Sequence, residues 1–151
     1  MMSFYGIIVF IHIIAAVCGL GATFALPVLM SRPKTVSHAL FAFTVNTGIE
    51  KLAKIGSLTL LATGLALGAL NPGLFSQIWY IASIIIYIAV QPVVAVILPR
   101  KLTEQKQILE IHKGDELPES YHLINKKMAP YNNFTYAAAV VLIALMVLKP
   151  F

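Results

Sequence analysis

The feature that most constrains this chain is an uninterrupted apolar stretch from Phe4 to Met30, which reads FYGIIVFIHIIAAVCGLGATFALPVLM. Its 27 residues carry no formal charge at neutral pH. A helix of this length, at ~1.5 Å per residue, outspans a hydrocarbon core of ~30 Å. A signal peptide would have a basic start and a short apolar core, and this stretch has neither. We therefore predict an uncleaved transmembrane helix.

Three further apolar stretches predict three further spans. Hydrophobic residues make up 59% of the chain and charged residues only 11%, against about 25% charged in a typical globular domain. The turn formers Asn71-Pro72-Gly73 join the second and third spans into an antiparallel hairpin. We expect a single all-α membrane domain, a four-transmembrane-helix bundle. Its spans cover about residues 4–30, 50–70, 74–98 and 128–148.

The connecting segments predict additional helix at one end of the bundle. Residues 35–48 have the apolar spacing of an amphipathic helix that lies at the interface or leads into span two. Residues 100–112 predict a helical extension of span three, and residues 118–127 a second short helix. Pro92 is expected to kink span three, and Pro130 lies where proline is best tolerated, near the first turn of span four.

The distribution of lysine and arginine predicts the orientation. Ten of these residues belong to the loops around 31–49 and 99–127 or to the start of span two, and only Lys149 lies at the opposite end. By the positive-inside rule both loops are cytoplasmic and both termini lie outside. We expect a multi-pass protein of the bacterial cytoplasmic membrane. The 99–127 loop mixes cations with anions, so it predicts a solvated surface and no nucleic-acid binding.

His12 is the first candidate functional residue, because an ionisable group within a span is costly and commonly functional. It lies ~12 Å into the core if the interface is near Phe4. The functional interpretation is a haem, porphyrin or metal ligand, or a proton-transfer group. The alternative is a neutral imidazole hydrogen-bonded to a neighbouring hydroxyl or carbonyl. At matching depths the other spans offer Thr59, Thr63, Tyr80, Ser83 and Tyr87.

The supply of ligands limits any metal site. Zinc and copper sites need three or four ligands, whereas the spans supply one histidine and one cysteine. His12 and Cys18 are six residues apart, which predicts that they point to different sides of the helix. The sequence therefore allows His12 as a single axial haem ligand. No catalytic residue is predicted.

Small and polar residues suggest further contacts. Gly64 with Gly68, and Ala15 with Gly19, have the spacing of close helix packing, within the bundle or in a homo-oligomer. Gln91 and the pair Asn132-Asn133 lie at similar depth and could form a small polar cluster. Apart from Glu50, the residue that opens span two, no Asp or Glu lies inside any predicted span, which counts against an ion-coupled transporter.

The first span, FIHIIAAVCGLGATFALPVLM, and the second, with LLATGLALG, resemble a bacterial family of four-helix predicted integral membrane proteins of unknown function. That family is distantly similar to the copper-resistance protein D domain and to the J-type protoporphyrinogen oxidase. In the oxidase the first-span histidine is associated with haem and porphyrin chemistry, and His12 is the one position carried across. The oxidase's aromatic and arginine-containing sequence after that histidine is replaced here by CGLGATFALP.

Three functions follow as hypotheses. The first is a membrane protein that binds haem, a porphyrin or a metal through His12. The second is a non-catalytic accessory module that works through its helix faces or its cytoplasmic loop. The third is a small-solute transporter or channel, which with four spans per subunit would need an oligomer.

Overall fold

The computed structural model describes residues 3–150, and the regular structure in that range is helical. Four of its continuous helical segments are long and apolar enough to cross a membrane, so the predicted four-span all-α architecture is confirmed. The elements are α1 (Phe4–Ser31), α2 (Val36–Leu70), a 3-10 turn (Pro72–Ser76), α3 (Ile78–Pro92), a π-helical turn (Val93–Ile97), α4 (Leu98–Ile111) and α5 (Glu119–Leu148).

The segment before span two is part of the same helix as the span. Thr35 caps α2 by accepting a hydrogen bond from the His38 amide, 3.2 Å away. Val36, Ala39 and Phe43 are buried at helical spacing, so this first third of α2 has its own packed face. Of the two predicted arrangements, the helix that leads into the span is the one formed.

The two prolines singled out from the sequence, Pro92 and Pro130, both lie inside helices, with different consequences. Pro92, which has no amide hydrogen to donate, is followed directly by the π-helical turn, and the kink at this residue stays a prediction. The helix then continues through α4, as predicted for residues 100–112. The expected separate helix at 118–127 is instead the beginning of α5. Pro130 therefore lies well inside α5, and its predicted place in the first helical turn is wrong.

The two ends of the bundle are held together by different contacts. At one end the Lys149 ammonium lies 5.6 Å from the centroid of the Trp79 ring, which brings the end of α5 next to the start of α3. At the other end the Val36 amide donates to the Asp115 carbonyl at 2.9 Å, and Thr35 pairs with Glu116 in an antiparallel bridge. We call this second end, formed by residues 32–48 and 99–127, the basic end.

The basic end contains the packed apolar core of the described chain. Tyr121, 1% exposed, donates its hydroxyl to the Met30 carbonyl at 3.3 Å. Gln105, fully buried, donates to the Tyr121 carbonyl at 3.1 Å and to Asn125 Oδ1 at 2.9 Å. Nearer the opposite end many large apolar side chains point outward, as lipid contact requires. The buried cluster comprises Met30, Val36, Ala39, Ala42, Phe43, Leu109 and Tyr121.

The helices of the bundle are unequally spaced. α1 and α2 touch backbone to backbone at Gly56, where an added Cβ would lie 2.7 Å from the Gly19 nitrogen and 2.8 Å from Cys18 Cβ. Between α2 and α3, in contrast, no pair of Cα atoms comes within 8 Å. Phenolic side chains span that gap, which leaves space inside the bundle.

Candidate functional site

A cavity of about 450 Å³ lies between the helices, in the part of the bundle nearer the basic end. It is open on part of its wall, and every one of the four membrane-crossing segments contributes to its lining. Most of the lining is aliphatic, for example Leu60, Ala139 and Leu142. The polar residues in the wall are Thr23, Asn46, Glu50, Lys54, Ser57, Tyr87, Gln91, Asn132 and Thr135.

Asn46 and Glu50 form the most buried polar contact of the wall that α2 contributes. Asn46 is 3% exposed and donates its amide to Glu50 Oε1 at 2.9 Å. The other amide atom, Asn46 Oδ1, is buried without a hydrogen-bond partner in the described chain. Glu50 Oε2 lies 3.9 Å from the Lys54 ammonium, and these side chains are 26% and 70% exposed. The wall thus holds a half-buried carboxylate and an unused carbonyl oxygen.

Ser57 and Tyr87 close the gap between α2 and α3 beside the cavity. The Tyr87 hydroxyl donates to the Ser57 carbonyl at 2.7 Å, and the two side-chain oxygens are 2.5 Å apart. Since the phenol proton is used on the carbonyl, the Ser57 hydroxyl is the donor of the second hydrogen bond. One turn further on, Gln91 also lines the cavity, and its amide reaches toward the Tyr87 carbonyl at 3.5 Å.

Only part of this site was predicted. Gln91 and Asn132 share the cavity wall, as the expected polar cluster requires, whereas Asn133 is exposed and does not line it. Asn46 was missed because span two was expected to begin at residue 50, and Glu50 was missed because it stands at that boundary, where a charge is expected at the interface. The signal was available: Asn46, Glu50 and Ser57 recur at helical spacing and mark a polar stripe on an apolar helix.

Glu50 also bears on the prediction about ion-coupled transport. It lies within the continuous helix α2 and lines the cavity, so a carboxylate does reach the space between the helices. The argument against an ion-coupled transporter stays a prediction from the sequence.

His12 lies outside the cavity lining and faces α2. Its Nδ1 is 2.8 Å from Thr63 Oγ1, and Thr63 is one of the neighbours predicted for His12. The Thr63 hydroxyl donates within its own helix, to the Thr59 carbonyl at 2.6 Å. Gly64 makes room for the imidazole, since a Cβ there would lie 3.3 Å from His12 Cε1.

These contacts define the tautomer of a neutral His12. Because the Thr63 proton goes to a backbone carbonyl, Thr63 Oγ1 accepts and His12 Nδ1 carries the hydrogen. Nε2 then holds the lone pair. A metal-ligating histidine has the same arrangement, with one nitrogen oriented by a hydrogen bond and the other available.

The other predicted neighbours of His12 are only partly brought together. Thr59 contributes its carbonyl to the Thr63 hydroxyl. Ser83 donates to the Trp79 carbonyl in its own helix at 2.7 Å, and Tyr87 pairs with Ser57 beside the cavity. Tyr80 donates to the carbonyl of Gly64, the residue that makes room for His12, at 2.9 Å.

Cys18 and His12 both contact α2, Cys18 through its Cβ at Gly56 and His12 through its ring at Gly64, because α1 and α2 pack along much of their length. That they point to different sides of α1 stays a prediction. They are still about 9 Å apart along the helix axis and cannot share an ion. Within residues 3–150 no group of three His, Cys, Asp or Glu side chains could hold a metal.

Of the glycines predicted to mediate close helix packing, Gly19 does so within the chain, whereas Gly64 and Gly68 make room for side chains. Gly56, which does not belong to the predicted pair Gly64 and Gly68, contacts α1 at Ala15 and Gly19. Gly64 makes room for His12, and Gly68 packs against Tyr80 at the opposite end. These glycine contacts lie within the bundle.

Fold and cavity together define a four-span integral membrane protein with a polar-lined space among its helices. The chain belongs to the family described as Predicted integral membrane protein (DUF2269), whose pattern matches residues 6–150. No curated protein and no solved structure matches it. The predicted uncharacterised membrane family is thus confirmed, and the resemblance to the copper-resistance D domain or the oxidase has no support in these comparisons.

Proposed function

We propose that this protein binds a small amphiphilic organic molecule in the cavity between its helices. The observation that carries the proposal is the cavity itself, with about 450 Å³ of space, a mostly aliphatic wall and a few converging polar side chains. Pockets of this size and lining are the usual form of small-molecule sites, including those between the helices of bundles.

The spacing of α2 and α3 supports access from the lipid. Their backbones stay more than 8 Å apart at every Cα pair, and the side chains of Tyr80 and Tyr87 bridge them. A hydrocarbon chain can pass a gap bridged by side chains more readily than one closed by backbone contact. An amphiphile dissolved in the bilayer would then reach the cavity without crossing water.

Photolabelling tests this proposal. The full chain in lipid nanodiscs is irradiated with a medium-chain alcohol that carries a diazirine, and the labelled residues are mapped by mass spectrometry. We expect labelling of cavity residues that unlabelled alcohol suppresses. Ala139→Phe fills the cavity and should abolish it, whereas Val140→Phe, at a 56% exposed position outside the lining, should not. Labelling confined to lipid-facing residues, or unaffected by Ala139→Phe, would overturn the proposal.

A second candidate function is haem or porphyrin binding by His12 as a single axial ligand. The observation that favours it is the orientation of the imidazole, with Nδ1 held by Thr63 and the lone pair therefore on Nε2. The test is haemin titration of the detergent-purified protein. A Soret band that His12→Ala abolishes is expected, and a protein that takes up no haemin, or takes it up equally without His12, contradicts this function.

The orientation in the membrane is part of the proposal. The basic end and the start of span two together contain ten of the eleven lysines and arginines. By the positive-inside rule this supports a cytoplasmic location for the basic end. Both termini would then lie outside, in a bacterial cytoplasmic membrane. The accessory module, the oligomeric transporter and homo-oligomer formation stay predictions from the sequence.

A further inference from the structure

We propose that the cavity selects amphiphiles whose head group is a protonated amine, which Asn46 and Glu50 receive. This inference rests on the proposed cavity binding and adds the chemical class of the ligand. It comes from one pair of residues in the α2 wall, whose oxygen atoms lack the donors they need.

Asn46 supplies the first argument. The residue is 3% exposed and lines the cavity, yet its Oδ1 has no hydrogen-bond partner in the described chain. A buried carbonyl oxygen without a partner costs free energy, so such atoms are normally satisfied by protein, water or ligand. The amide nitrogen of Asn46 already donates to Glu50, which fixes Oδ1 as the atom left over. Oδ1 only accepts, so its partner must be a donor.

Glu50 supplies the second argument. Its carboxylate accepts from Asn46 at Oε1 and has lone pairs left on both oxygens. The Lys54 ammonium is 3.9 Å from Oε2 and 70% exposed, whereas the Glu50 side chain is 26% exposed. The more buried charge of the pair is therefore negative, and a long exposed ion pair neutralises it weakly. A compact cation from within the cavity would be a better partner.

The combination discriminates among head groups. An ammonium group has three donors and no acceptor, so it can serve the Glu50 carboxylate and, once the Asn46 side chain turns its buried oxygen into the cavity, Oδ1 as well. A hydroxyl has a single donor and no charge. A carboxylate or phosphate head has no donor for Asn46 and is repelled by Glu50, leaving only the exposed Lys54 to receive it.

The experiment compares three diazirine amphiphiles with the same alkyl chain and different heads, namely a primary amine, an alcohol and a carboxylic acid. Each labels the full chain in nanodiscs of neutral lipid at pH 7, with empty-disc partitioning measured to correct the free concentration. Labelling of cavity residues should saturate at roughly tenfold or more lower concentration for the amine than for the alcohol. The carboxylic acid should label the cavity least.

Variants assign the preference to the two residues. Glu50→Gln keeps the shape and removes the charge, and it should erase the advantage of the amine. Glu110→Gln is the matched control, because Glu110 forms a similar i,i+4 pair with Lys106 at 3.7 Å outside the cavity. Asn46→Ala should also weaken amine labelling, and Glu50→Gln decides the matter if Asn46→Ala does not fold.

The outcomes separate the two proposals. Equal labelling by all three heads, or an amine preference that survives Glu50→Gln, overturns the head-group inference while cavity binding stands. Stronger labelling by the carboxylic acid overturns it as well and points to Lys54. Absence of cavity labelling by every head overturns the proposed function itself.

Discussion

The Tyr87 hydroxyl lies 2.7 Å from the Ser57 carbonyl oxygen and joins two helices whose Cα atoms stay more than 8 Å apart. A second hydrogen bond returns from the Ser57 hydroxyl to the phenol oxygen. The cavity exists beside this bridge because a long aromatic side chain replaces direct helix contact there. Stability and cavity shape therefore depend on the same pair.

Removing the phenol oxygen should loosen this bridge. Tyr87→Phe deletes both hydrogen bonds, and we expect a loss of about 0.5–2 kcal/mol in the free energy of unfolding, measured by denaturation in bicelles. Tyr136→Phe is the matched control: its ring stacks on Phe24 at 5.5 Å, and its hydroxyl has no hydrogen bond in the described chain. Equal losses in the two variants would show that the bridge contributes nothing.

The contact of α1 with α2 should be sensitive to a single methyl group. Gly56→Ala places a Cβ 2.7 Å from the Gly19 nitrogen, so the helices must separate, at a cost of about 1–3 kcal/mol. Gly48→Ala, in the same helix with nothing within 4 Å, should be neutral or stabilise by about 0.5–1 kcal/mol. The same denaturation measurement compares them. A Gly56→Ala variant as stable as the parent would contradict the packing described.

Thr63 should matter to haemin binding if His12 is an axial ligand. Thr63→Val removes the acceptor that orients Nδ1, and loss of such a partner lowers affinity by about 10–100-fold. Ser83→Ala is the control, since the Ser83 hydroxyl bonds within its own helix. The measurement is the haemin titration followed at the Soret band. Identical affinity in the parent and in Thr63→Val would remove the assigned orienting role.

Asp115 should make the basic end sensitive to acid. The Ser37 hydroxyl, at 2.8 Å, and the Ser37 amide donate to its carboxylate, and these hydrogen bonds lower the pKa of Asp115 below its ordinary value. Because the folded-state pKa is lowered, the contact stabilises fully above the unfolded-state pKa of about 3.9. That stabilisation is lost as the pH falls through the lower folded-state pKa.

Thermal unfolding between pH 6 and pH 3 measures this effect. The parent should lose more of its transition temperature over that range than Asp115→Asn, whose side chain does not titrate. Ser37→Ala should reduce the pH dependence by removing the stronger donor. Parallel curves for the parent and Asp115→Asn would contradict the assignment.

The sequence predicts the four spans well because each is set by local composition and length. Its failures concern boundaries and rotations. The charges at Glu50 and Lys54 predict the start of span two. The helix itself begins earlier, at Val36, and both residues lie in its interior. Hydropathy predicts where contact with lipid begins, and it does not predict where a helix begins.

The candidate site was less predictable for a geometric reason. Depth matching brought Thr63 to His12 correctly in register, but it also proposed Ser83 and Tyr87, which bond elsewhere. Depth is one coordinate of a helix residue, and the rotation of each helix about its axis is the other. The cavity depends on four such rotations and on the spacing set by Gly56, none of which composition specifies.

The most direct measurement is an intermolecular NOE experiment on the methyl-labelled full chain in nanodiscs of deuterated lipid, with a protonated alkylamine as the probe. Cross-peaks from the alkyl chain to the methyls of Leu60, Met128 and Leu142 are predicted, since these residues line the cavity. Val140 and Val147, both exposed, report lipid-phase contact. Cross-peaks to the two valines without any to the cavity methyls would contradict the account.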